Sequence, residues 1–279
     1  MAIVGSSVVV GKLMVATLPV FLIGGLRFAL ASVILLPLVL ITERGWPRLG
    51  ERDVKVLVLQ AFTGIFLFNT LLLYGLTLTS AAESGIVTST TPAVTAALAV
   101  ALLREPWTRP RALGIGLAVL GLLTINLAAS TAGRGAHPVL GNLLVFGAVV
   151  GEGLFVICSR VLSQRLPPLV VAAGISILGL LMFLPFALYD LRHVSLVDLA
   201  PGQWLAIGYY GVVVTVLAFL LWARGVARVP ASAAAVFTGV LPVSAVTLSY
   251  LVLGEPIEAS HLLGGVCVLA AIVVVARAG

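Results

Sequence analysis

Charge is what this chain has least of. Only 9% of its 279 residues are Asp, Glu, Lys or Arg, whereas 61% are hydrophobic and the mean hydropathy is +1.22. Soluble domains carry about a quarter charged residues, so this chain lacks the polar surface needed to cover itself in water and belongs in lipid. Cysteine and histidine are scarce too. Cys158 and Cys267 fall inside apolar runs with no spacing that suits a disulfide or a metal, and His137, His193 and His261 are scattered over connecting segments, so no zinc cluster is visible. No polar stretch exceeds about a dozen residues, an ordinary loop length, so no water-soluble domain is present. Clustered His and Asp, a cysteine dyad and a phosphate-binding loop are all missing. A membrane-embedded enzyme would need such a constellation, and no cofactor is expected.

Long apolar runs are what the chain has in their place. About 20 apolar residues span a bilayer as a helix. Runs between charged or Pro/Gly-rich breaks lie near 1–16, 19–41, 54–76, 81–103, 109–127, 139–161, 168–189, 202–223, 231–253 and 259–276. The expected fold is an all-α integral membrane protein with ten transmembrane helices. The first run is expected to be a span and not a signal peptide: it has no basic n-region, and Lys12 follows its apolar stretch instead of preceding it.

The chain also repeats itself. Gly75–Gly114 aligns without a gap on Gly225–Gly264 at an offset of 150 (75 + 150 = 225), with Thr88/Thr238, Pro92/Pro242, Glu105/Glu255 and Pro106/Pro256 among the shared positions. Further upstream Gly5, Lys12, Pro19 and Pro37 match Gly153, Arg160, Pro167 and Pro185 at an offset of 148 (5 + 148 = 153). The expected domains are an N-terminal five-helix repeat over 1–130 and a C-terminal one over 139–279. The helix that matches the first one begins near Gly141, so the first starts about two turns late; an N-terminal trim or a short entry helix would each account for this.

Basic residues set the orientation. The even-numbered loops and the C-terminus hold twelve: Arg44, Arg48, Arg52, Lys55, Arg104, Arg109, Arg111, Arg160, Arg165, Arg224, Arg228 and Arg277. The odd-numbered loops hold three, Lys12, Arg134 and Arg192. This bias places both termini in the cytoplasm. The net charge of +6 therefore reflects membrane orientation and not a nucleic-acid partner. Five helices per repeat is an odd number, so the second repeat is expected to be inverted. The basic loop Arg104–Arg111 and its uncharged-to-acidic partner Gly254–His261 agree. Inverted repeats around a central cavity are the architecture of secondary transporters, which open one site to either side by alternating access.

Candidate site residues follow from the cost of polar groups in lipid. Pro92 and Pro242 each remove a backbone donor and free a carbonyl four residues earlier, on Thr88 and Thr238. They are read either as fixed kinks or as paired hinges. Ser84, Thr88, Thr91 and Thr95 share one helix face, and Thr63, Thr70, Tyr74 and Thr77 form a second stripe. Such hydroxyls serve ordinary packing or line a shared polar cavity; adjacent stripes with Tyr74 among them favour the cavity. Arg27, Glu83 and Glu152 lie at membrane depth, where charges usually face a cavity or a partner. Glu152 is the deepest, and is a candidate contact for a cationic substrate group or a carrier of a coupling proton. Glu83 is a second coupling candidate, nearer the surface. Arg27 is expected to snorkel or to form a structural ion pair. Tyr209 and Tyr210 are deep enough for one to line the cavity, while Trp204 and Trp222 suit interfacial belts. Glu105 and Glu255 are expected to cap the helices that follow them. The glycines of the fifth and tenth helices, and the Gly147-Ala-Val-Val-Gly151 motif, are expected to serve internal packing.

Taken together, Arg27-Phe-Ala-Leu-Ala, Tyr74-Gly-Leu, Pro92, Arg104-Glu-Pro and Gly114, repeated as Pro242, Gly254-Glu-Pro and Gly264, resemble the EamA family of the drug/metabolite transporter superfamily. Gly141-Asn-Leu-Leu with Ser159-Arg160 resembles the family's opening of the second repeat. Within the family the chain is similar to YddG-type amino-acid exporters. The resemblance implies a central cavity between the repeats, peripheral fifth and tenth helices, and export of amino acids or related metabolites. The family often has Trp where this chain has Glu152, and the usual Trp-Gly opening of the first helix is missing. The expected function is export of small metabolites, aromatic amino acids first, across the bacterial inner membrane. A passive channel or a lipid or metabolite flippase is the alternative.

Overall fold

The computed structural model describes residues 2–15, 17–43, 48–78, 87–88, 90–128, 137–248, 251 and 259–276. Among them the structure is helical, with no strand. The elements are α1 (Ala2–Val15), α2 (Val20–Thr42), α3 (Glu51–Ala61), α4 (Phe68–Leu78), α5 (Thr91–Leu103), α6 (Arg109–Ala128), α7 (Pro138–Ser163), α8 (Pro168–Asp190), α9 (Pro201–Tyr209), α10 (Ala218–Val226), α11 (Ala231–Thr238), α12 (Val240–Leu248) and α13 (Ala259–Ala276). Among the described residues five stretches, Val20–Thr42, Glu51–Leu72, Val139–Ser163, Pro168–Asp190 and Pro201–Val226, are long and apolar enough to cross a membrane, and Thr91–Leu103 and Leu262–Val275 are shorter apolar helices.

Two of these long helices change pitch midway. A π-helical segment, Phe62–Leu67, joins α3 to α4, and another, Tyr210–Leu217, joins α9 to α10. At the 150-residue offset Phe62–Leu67 maps onto 212–217 (62 + 150 = 212; 67 + 150 = 217), inside the second π segment. In the second segment the Thr215 hydroxyl donates 2.9 Å to the Tyr210 carbonyl, five residues back. Such segments are rare and concentrate at functional sites.

Glycine decides which helices touch closely. A methyl on Gly121 of α6 would sit 2.7 Å from the Gly264 carbonyl and 2.8 Å from Val268 on α13. The expected internal packing of this glycine-rich pair is what the structure contains. The pair lies against α5 and α11 through Ala96, Ile115, Ala118, Ala233, Val236 and Ala271. A second core joins α2 and α8, where Phe21, Phe28, Phe66 and Phe183 form a chain of ring contacts. The site is carried by α5, α7, α10 and α11, which share a further cluster at Ala99, Val156, Val226 and Ala234.

Candidate functional site

The proline reading of the sequence locates a break in the chain. Thr90 is in a turn and Pro92 falls in the first turn of α5, where its missing N–H costs nothing. The carbonyl of Thr88 is taken by the Thr91 hydroxyl at 2.8 Å. The matched helix also breaks: α11 stops at Thr238, Gly239 is in a turn, and α12 resumes at Val240. Pro242 lies within α12, and its side chain lies outside what the structure describes. Pro92 is thus at a helix start and not in a helix interior, which is the difference between a broken helix and a kinked one.

Beside that break α5 meets α7. Thr91 Oγ1 lies 3.4 Å from Glu152 Oε2. One turn along, Thr95 is fully buried and its hydroxyl has no hydrogen-bond partner among the described residues. It faces Gly153, where a methyl would lie 3.2 Å from that hydroxyl. Gly151, on the other side of Glu152, lets the Thr63 carbonyl approach; a methyl there would be 2.7 Å from it. Glycines therefore flank Glu152 on α7 and bring two neighbouring helices against it. The arrangement can hold a carboxyl among hydroxyls at a site closed in by backbone.

Other residues singled out from sequence go elsewhere. Thr70 donates to the Phe66 carbonyl of its own helix at 2.8 Å. Tyr74 is 61% exposed, next to the contact of Gly75 with α7. Tyr209 reaches α1, with its hydroxyl 2.6 Å from Ser6 Oγ. Tyr210 packs beneath Arg27, whose guanidinium carbon lies 5.4 Å from that ring and 4.4 Å from the Phe28 ring. Arg27 Nε is buried with no hydrogen-bond partner among the described residues, and its guanidinium stacks on these aromatic rings, a contact the sequence did not announce. Glu83 and Ser84 lie outside the described residues.

A cavity of about 370 Å³ opens between α1, α10, α11 and the start of α12. Its wall is apolar, with Ile3, Leu221, Trp222, Val226, Phe237 and Val240 prominent. None of Thr70, Tyr74, Thr88, Thr91, Glu152, Tyr209 and Tyr210 lines it. The two sites nevertheless share their supports. One turn from Thr95 and Glu152, residues Leu98, Ala99, Phe155 and Val156 pack in one cluster with the cavity residues Trp222, Val226, Val229 and Ala234. The Trp222 indole donates 3.1 Å to Ser159 Oγ on α7, which also accepts from Gln60 Nε2 at 2.6 Å. Gln60 is fully buried and its Oε1 has no partner among the described residues. Sequence reading missed Gln60 and Ser159 and assigned Trp222 to an interfacial belt. Single polar residues on three separate helices make no stripe, so no pattern in the sequence marks them.

Against known proteins, the sequence profile of the EamA-like transporter family matches residues 1–127 and again 139–277. The chain belongs to that family. It is 48% identical over 275 residues to the uncharacterized transporter YetK of Bacillus subtilis strain 168, covering 98% of this chain and 83% of YetK. A probable terminal-alkyne amino-acid exporter of Streptantibioticus cattleyicolor is 24% identical, over 84% of this chain and 76% of that protein. A solved structure described only as a protein crystal structure superposes with a TM-score of 0.82 at 20% identity, over 100% of this chain and 96% of the other, and shares the fold. The protein is thus a multi-pass membrane transporter of the EamA-like family and not an enzyme.

Proposed function

We propose that this chain exports amino acids, aromatic ones first, or related small metabolites across the bacterial cytoplasmic membrane by alternating access. Its ten spans form two inverted five-helix repeats with both termini in the cytoplasm. The basic-residue bias supports the orientation, and the π segments and helix breaks at matched positions support the repeat. The amino-acid exporter among the relatives supports the cargo class.

The observation that carries the reading is an asymmetry between matched seams. A methyl on Gly75 of α4 would lie 2.6 Å from Val145 and 3.0 Å from the Gly141 carbonyl of α7, so that seam is closed. Its counterpart Gly225 of α10 meets nothing within 4 Å among the described residues and faces the apolar cavity. In the proposed orientation the closed seam is at the outer side and the cavity at the cytoplasmic side, as an exporter loading its cargo requires. An apolar or aromatic side chain enters the cavity beside Trp222 and Phe237, and its cationic amino group moves on toward Glu152 and Thr91. Glu152 is also the proposed carrier of a coupling proton, with Glu83 second. Pro92 and Pro242 mark the proposed pivots.

The test is counterflow of a labelled amino-acid panel in proteoliposomes, with and without a pH gradient. Trans-acceleration of aromatic amino acids, with pH dependence that E152Q abolishes, is the expected result. Flux without trans-acceleration means a channel, and movement of labelled lipid alone means a flippase. Unaltered transport and pH dependence in E152Q removes the carboxyl from the mechanism.

A further inference from the structure

The hairpin that walls the cavity, Val226 to Ser232, is gripped at both ends by charged side chains from the helices that carry Thr91 and Glu152. Glu105 follows α5. Its Oε1 accepts from the Ala231 N–H at 2.6 Å, and its Oε2 accepts from the Ser232 hydroxyl at 2.6 Å and the Ser232 N–H at 3.3 Å. Arg111 Nη1 stands 3.8 Å from the same oxygen. Glu105 therefore caps α11, some 127 residues away, and not the helix that follows it as the sequence suggests. At the other end Arg160 of α7 donates to the Val226 carbonyl at 2.9 Å and to the Ala227 carbonyl, which also accepts from Gln164 at 2.5 Å.

The charges match the ends they hold. A carboxylate sits on the free amides of a helix N-terminus and a guanidinium on the free carbonyls of a helix C-terminus, each the favourable sign for the helix dipole. The aim of Glu105 is set by backbone: Arg104 ends α5 in the left-handed region at φ 55° and ψ 34°. A non-glycine residue there is held by its surroundings against a steric cost.

We infer that Glu105 and Arg160 are positioning residues that couple the Thr91–Glu152 pair to the cavity. α5 carries Thr91 at one end and Glu105 past the other. α7 carries Glu152 near its middle and Arg160 two turns on. Any rearrangement of α5 against α7 when cargo or a proton reaches Glu152 pulls on both ends of the α10–α11 hairpin. The cavity wall made by Trp222, Gly225, Val226 and Val229 moves with it. The inference rests on the alternating-access reading for its purpose, but the clasp has a signature of its own.

That signature is thiol accessibility, which needs no knowledge of the cargo. Gly225→Cys in otherwise intact protein, reconstituted in liposomes, reports the cavity to a maleimide. Buried Cys158 reports global loosening, and mass spectrometry reads each site separately. E105A and R160A each remove more than one charge-assisted hydrogen bond and are expected to change the labelling rate of Gly225→Cys at least about tenfold, with Cys158 unchanged. E105Q keeps an acceptor, and S232A removes one of three donors; both should give smaller shifts, and they serve if E105A does not fold. An unaltered rate at Gly225→Cys in all four variants, or a parallel rise at Cys158, overturns the clasp. A positive result with no transport of any tested amino acid leaves the clasp standing and rejects the cargo.

Discussion

Two seams of this molecule occupy matched places in the sequence and behave oppositely. Along the seam of α4 and its π segment with α7, glycine after glycine is in close contact: Gly75 on Val145 and the Gly141 carbonyl, Gly151 on the Thr63 carbonyl, and Gly147 on the Leu71 side chain. Along α9, α10 and their π segment, Gly211 packs on Leu30 of α2, but among the described residues Gly208 and Gly225 meet nothing within 4 Å. A glycine removes a side chain; whether that lets two helices close or leaves a space depends on what stands opposite. The same residue type at matched positions thus closes one side and opens the other. A carrier needs such a difference, and needs it to be reversible.

The comparison breaks hardest at its two glycines. Gly75→Leu drives a side chain into Val145 and a carbonyl, with an overpacking cost of about 1–3 kcal/mol. A fall in Tm of several degrees and loss of transport are expected. Gly225→Leu fills open space and should leave Tm in place while blocking transport. Equal losses of Tm in the two variants would show that the seams are alike. Trp222→Ala removes a cavity wall and the indole donor to Ser159. KM for an aromatic cargo should rise about tenfold, the scale of one lost pocket contact, while Trp222→Phe should stay near wild type. Thr91→Val strips the hydroxyl from both Glu152 and the Thr88 carbonyl. A hydrogen bond of this kind contributes about 1 kcal/mol, so transport should fall about fivefold with the pH profile displaced, as measured in proteoliposomes. The smallest effect belongs to Arg104→Gly, which puts glycine where the matched position 254 already has it. Relief of the left-handed backbone should raise stability by about 1 kcal/mol, with transport kept because the Glu105 cap remains.

Much of this was legible residue by residue. The proline marked the right place but not the right geometry: it was read as mid-helix and stands in the first turn of α5, beside the Thr91 hydroxyl that takes the Thr88 carbonyl. The packing role of Gly121 and Gly264 follows from small residues in apolar runs. The Thr91–Glu152 contact was half legible: each residue stood out as polar at membrane depth, but nothing in the sequence paired them. The partner of Glu105 was misread, because the nearest helix start in sequence is not the nearest in space.

By itself the sequence determined the solvent, the helices and the family. Hydropathy, proline and glycine act within a few turns of the chain, and lipid favours the helix in an apolar run because it leaves no backbone polar group unpaired. Only the tertiary structure decided that Glu105 holds α11, that Arg27 lies on aromatic rings, and that one glycine seam is closed while the matched one borders a cavity. Those outcomes depend on which helices become neighbours across more than a hundred residues of chain. In a core where nearly every surface is apolar, hydrophobicity favours many pairings about equally. The few polar groups and the shapes left by missing side chains choose among them.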